Sequence, residues 1–278
     1  MSKFSKTLLA TLLGLSSLGA YAANTESAVA SCYPSIKLSA RSPETQLIVL
    51  VDQTTQFDAS LQQSIATNLA SFIKPGQSFS VFQFSAFTQG HYAQKVVEVT
   101  LDPLLPANER NAINKVLLTK FDACLKQQIS QASSLAAQAL QVSFGGTSKD
   151  IAKSDILSSV KAISNAIRQS PAKDRVVLIA SDMLENSSIS SFYAHNTLRK
   201  IDPTKELGLA MAAQAIGDFG NARVFVLGAG VLSDPKQSQG YRDPKSLNAL
   251  ADFWREWFKK SNANLVEFGT PALLSPVR

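Results

Sequence analysis

The sequence predicts an α/β fold with a mainly parallel central sheet, helices on both faces, and one antiparallel edge strand. Three observations carry this. The apolar runs Leu47–Val51 and Val176–Ala180 are continuous rather than alternating, as strands covered on both faces are. Amphipathic helical stretches separate them, the pattern of strand–helix–strand crossovers. Lys95–Leu101 is shorter and more polar, which suits an edge.

The elements follow in order. Residues 23–45 are polar and irregular, an N-terminal strap. After the strand Leu47–Val51, the residues Leu61, Ile65, Leu69, Phe72 and Ile73 recur at helical spacing over 59–73. Asp58 or Ser60 stands near its N-cap and Pro75-Gly76 lies beyond its end. Ser78–Ser85 alternates in part and reads as a strand. From Pro106 the apolar positions Ile113, Val116, Leu117, Phe121, Cys124, Leu125, Ile129, Ala132, Leu135 and Leu140 keep mostly three- and four-residue steps. They form a helical segment over about 104–143. A helix from Asp155 to Gln169 is stopped by Pro171. Strand 176–181, a helix over 204–217, strand Arg223–Leu227, a helix over 245–260 and strand Leu265–Phe268 complete a Rossmann-like domain spanning 46–270. Residues 271–278 are a C-terminal tail. Phe253, Trp254, Trp257 and Phe258 share one helical face, so they are expected to pack on the sheet rather than present a binding surface.

The N-terminus reads as an export signal. Lys3 and Lys6 form a basic start, Leu8–Ala20 is apolar but too short to span a bilayer, and Ala20-Tyr21-Ala22 has the form that signal peptidases cut after. Residues 1–22 would be removed, and the product would be periplasmic or secreted. A lipid-modified Cys32 is disfavoured, because polar residues separate it from the apolar stretch. No later segment reaches transmembrane length. The chain of 278 residues carries a net charge of +6, spread without a basic block or interleaved aromatics, which gives nucleic-acid binding no support. Export makes a disulfide between the two cysteines, Cys32 and Cys124, the expected state. Because Cys124 lies on the apolar stripe of the helical segment, the bridge would staple the strap to it.

The chemistry is concentrated at strand ends. Asp52 ends the first buried run, Ser181-Asp182 end the second, and Gly145-Gly146-Thr147-Ser148 is a hydroxyl-bearing turn between them. In an open parallel sheet the strand carboxyl ends line one edge, where ligands bind. Two carboxylates with several hydroxyls make an oxygen-only set suited to Mg²⁺, Ca²⁺ or Mn²⁺. The alternative is that Asp52 and Asp182 merely cap loops and accept backbone N–H groups.

These pieces, in this order and spacing, resemble the von Willebrand factor A family over roughly residues 45–270, and against that family's usual connection the helical segment over about 104–143 reads as a helical insertion. The resemblance implies a metal-ion-dependent adhesion site, in which three loops give Asp-x-Ser-x-Ser, a Thr and an Asp. Carried over by position, the metal ligands would be Asp52, Thr54, Gln56, Thr147 and Asp182. Gln56 stands where the family has serine, and its amide oxygen can also ligate a hard cation. The resemblance implies a protein-interaction module, with a partner's carboxylate completing the cation's shell, and no catalysis. A metal-independent envelope-assembly scaffold is the alternative.

An enzyme is the rival class. A phosphatase built on Asp52 needs a second acid two positions on, where this chain has Thr54. No G-x-S-x-G elbow accompanies the two histidines, His91 and His195, which lie in polar stretches and are expected at the surface. Gly228-Ala229-Gly230 lacks a third glycine, and Gly145–Lys149 lacks the leading half of a phosphate-binding loop, so nucleotide binding is not expected.

Overall fold

A computed structural model describes residues 27–85, 93–147, 154–194, 197–231 and 243–278. The export segment, His91, His195 and Ser148 lie outside them. The central strand is β1 (Thr45–Asp52), whose residues from Gln46 onward are all buried. It pairs in parallel with β2 (Gln77–Phe84) on one side and with β4 (Asp174–Ala180) on the other. β3 (Gln94–Thr100) runs antiparallel along β2 as one edge. β7 (Ala222–Leu227) and β8 (Ala263–Phe268) extend the parallel sheet to the other edge, giving the order β3-β2-β1-β4-β7-β8. This is the expected α/β, Rossmann-like class, antiparallel edge included.

Alternation along the strands decides which helices cover which face. Ile48 and Leu50 of β1 pack with α4 (Ile156–Arg168), α5 (Pro203–Ala212) and α6 (Pro244–Lys260). Leu47, Val49 and Val51 pack with α1 (Ala59–Ala70) and α3 (Lys115–Gly145). The aromatic face of α6 is core: Phe253, Trp254, Trp257 and Phe258 are fully buried. Each indole satisfies its N–H as buried tryptophans must, Trp254 to Met183 O and Trp257 to Ala215 O, both at 2.9 Å.

The helical stretch beyond Pro106 comprises two helices. α2 (Ala107–Asn111) stops before Asn114, whose side chain caps α3 by accepting from Val116 N at 2.8 Å. α5 ends at Ala212 rather than near 217, because Gln214 takes a left-handed φ of 55° and Ala215 N returns to Ala210 O. A two-residue hairpin, β5 (Tyr193–Ala194) with β6 (Thr197–Leu198), had no sequence signal.

Cys32 and Cys124 are disulfide-bonded, closing a separation of 92 positions. The bridge fastens the strap to α3, and Tyr33, Ile36, Phe121 and Leu125 form a small core around it. Buried Asp102 completes the joint by accepting from Cys32 N, Ser31 Oγ and Gln128 Nε2. The far end of the chain is also tied down: Val277 is buried and its N–H donates to Asn68 Oδ1 at 2.8 Å. Among the described residues, no helix is long and apolar enough to cross a membrane.

Candidate functional site

The strand order reverses at β1 and β4, since the chain leaves β1 towards β2 and later returns on its other side. The carboxyl ends of β1 and β4 therefore flank the crevice in which ligands of such sheets bind. Asp52, the last residue of β1, is fully buried there. The chain then turns, and Thr54 folds back so that its N–H and hydroxyl both donate to Asp52 Oδ1, at 2.9 and 2.6 Å. Ser181 donates its hydroxyl to Asp52 Oδ2 at 2.7 Å. The next residue, Asp182, is buried as well. It donates its N–H to Thr55 Oγ1 at 3.1 Å, and its carboxylate accepts from Leu184 N at 2.9 Å and from the Tyr193 hydroxyl at 3.0 Å. Ser154, just before α4, places its hydroxyl oxygen 3.0 Å from that of Thr54.

Burial dominates the electrostatics. It raises the Asp52 carboxyl above its ordinary range, against the hydrogen bonds from Thr54, Ser181 and Thr55 that favour the charged form. Burial and then the Asp52 charge push Asp182 up to about 8. Tyr193 is raised by burial and by the Asp182 charge. Among the described residues no lysine, arginine or histidine bonds either carboxylate; every donor is a hydroxyl or a backbone N–H. Two adjacent buried carboxylates with no basic partner among the described residues need a proton or a cation for neutrality.

The site's walls come from two further loops. Gly228, after β7, has φ +100°, and a Cβ there would stand 2.6 Å from Phe57 Cε1 and 3.1 Å from Ser181 O. Only glycine lets this turn approach so closely. The Gly228-Ala229-Gly230 run thus serves packing, and Gly230 N donates to Asp182 O at 2.8 Å. Glu185 is buried too, but it serves the first turn of α4, accepting from Leu157 N at 2.9 Å. Burial pushes it up to about 8.

Three of the five residues proposed from sequence, Asp52, Thr54 and Asp182, meet in this network. The other two do not join it among the described residues. Gln56 is exposed, while its neighbour Thr55 is buried and faces inward. Thr147 donates its hydroxyl to Phe144 O at 2.8 Å, closing the end of α3. Thr55, Ser181, Ser154 and Tyr193 are the contributors the family pattern does not name. The signal for Ser181 and Thr55 was their hydroxyl chemistry beside each aspartate; Tyr193 had none. No group of three or more His, Cys, Asp or Glu side chains able to hold a metal occurs among the described residues. A cation here would depend on two carboxylates and on hydroxyls, a donor set that suits a hard ion.

No family model matches the sequence, and no curated protein matches it. Among solved structures, the chain is similar to an aerotolerance-related membrane protein from Bacteroides fragilis. That match has 9% identity over 82% of this chain and 91% of the other, with a TM-score of 0.35. It is similar to the N-terminal domains of a type V pili tip protein from Porphyromonas gingivalis, at 11% identity over 63% of this chain and 27% of that one, with a TM-score of 0.33. A human COPII-coat protein gives 10% identity over 86% of this chain and 31% of that one, with a TM-score of 0.34. Similarity at this level identifies neither a family nor an activity.

Proposed function

We propose that this chain is an exported protein-interaction module of the von Willebrand factor A type, without catalytic activity. Its contact face is the carboxyl edge of the sheet. Asp52, Thr54 and Asp182 would hold a divalent cation (Mg²⁺, Ca²⁺ or Mn²⁺), and the cation, when bound, supplies an electrophilic centre that a partner's Asp or Glu side chain completes. The observation that carries this reading is the pair of buried carboxylates at the crevice, served among the described residues only by hydroxyls and N–H groups. Export is supported by the disulfide, which persists in oxidising compartments.

The test is a thermal melt with Mg²⁺ or Mn²⁺ against EDTA. Cation at a hundredfold excess over its Kd should stabilise the parent by roughly 2.7 kcal/mol, and Asp52→Asn should abolish that gain while remaining folded. Equal shifts in both proteins would remove the cation from the proposal. A metal-independent scaffold is the second reading. It is favoured by the fact that both oxygens of Asp52 and both of Asp182 already accept hydrogen bonds. It requires partner capture that is insensitive to chelator.

A further inference from the structure

We propose that Tyr193 is a positioning residue of this site, its hydroxyl holding the Asp182 carboxylate in the orientation the cation needs. The inference rests on the cation reading above and adds a residue that no part of the family pattern names.

The two aspartates are anchored differently. Asp52 is gripped by hydroxyls on both oxygens, from Thr54 and Ser181. Asp182 has one local anchor, the N–H of Leu184 two residues on, and a single side-chain anchor among the described residues, the Tyr193 hydroxyl at 3.0 Å. That phenol is itself held. Phe192, next to it, is fully buried and stands edge-on to Phe253 with ring centroids 5.1 Å apart. Arg199, just beyond the hairpin, donates to Glu206 Oε1 at 2.7 Å and lies over the Phe192 ring. Glu206 also accepts from Ser190 Oγ at 2.6 Å. Tyr193 thus reaches Asp182 from beside Phe192, which is anchored in the core. A ligating carboxylate oriented by a fixed donor binds metal more tightly than one free to rotate, and removing such a donor typically costs 10–100-fold in affinity.

The experiment uses the exported chain and Mn²⁺ as probe, with free Mn²⁺ followed by electron paramagnetic resonance. Tyr193→Phe keeps the ring and deletes the hydroxyl. Its Kd for Mn²⁺ should rise by about tenfold or more, while its far-UV circular dichroism in EDTA stays the parent's. Tyr193→Met, which removes the hydroxyl with a flexible apolar side chain, should do the same. In an Asp182→Asn background, Tyr193→Phe should add nothing, because the effect passes through that carboxylate. A Tyr193→Phe protein that binds Mn²⁺ as well as the parent, or more tightly, overturns the proposal; so does a lowered melting temperature with an unchanged Kd. If the parent fails to bind Mn²⁺, or binds it equally after Asp52→Asn, the cation reading itself is what fails.

Discussion

The Ser181 hydroxyl donates to Asp52 Oδ2 at 2.7 Å across a separation of 129 positions. The tie is reciprocated one residue on, where Asp182 N donates to Thr55 Oγ1. The ends of β1 and β4 are therefore laced in both directions. This matters because the switch point of a parallel sheet is where neighbouring loops diverge. Here hydroxyl chemistry draws them together and leaves two buried carboxylates at the paired strand ends.

That burial sets a pH dependence. Asp182 and Glu185 are each pushed up to about 8, from ordinary values of 3.8 and 4.5. Between those limits the folded chain keeps protons that the unfolded chain has released, so folding stability declines as pH rises. The decline ends once the folded groups ionise as well. In EDTA, the melting temperature should fall from about pH 5 to about pH 8, and Asp182→Asn should flatten the slope. A melting temperature that climbs over this range would show that neither group is held protonated.

The disulfide should matter to stability without deciding the sheet. Replacing Cys32 and Cys124 together by Ser opens a long loop and should cost about 2–5 kcal/mol, read from the urea midpoint. The bridge sits in the small core of Tyr33, Ile36 and Phe121, apart from the two cores on the sheet faces. The variant's far-UV circular dichroism should accordingly stay close to the parent's. Loss of the folded spectrum would mean that the strap is integral to the domain.

Trp254 links the core of α6 to the site. Its indole N–H holds the carbonyl of Met183, which follows Asp182 and has a left-handed φ of 59°. Trp254→Phe leaves that buried carbonyl unpaired and should cost about 1–3 kcal/mol; Trp254→Ala should cost about 3–5 kcal/mol through the cavity. Because the bond constrains the backbone beside Asp182, Trp254→Phe should also weaken Mn²⁺ binding. Unchanged binding in a destabilised variant would confine Trp254 to packing.

The sequence by itself determined the strands of the central sheet, their faces and the strand-end acids. Short, β-branched apolar runs between amphipathic helices point to a sheet covered on both sides, and a carboxylate closing such a run emerges at the sheet's edge. Asp52 and Asp182 were legible for that reason, as was the buried aromatic face of α6 from its helical spacing. The partner of each polar group was decided only by the tertiary structure. Thr55 rather than Gln56 faces inward because a tight turn, not an extended strand, follows Asp52. Thr147 spends its hydroxyl on the end of α3, and Tyr193 reaches Asp182 from a hairpin whose residues carry no strand signal. Hydrogen bonds act over about 3 Å, and which side chains come that close depends on strand register and loop paths, which no local pattern encodes.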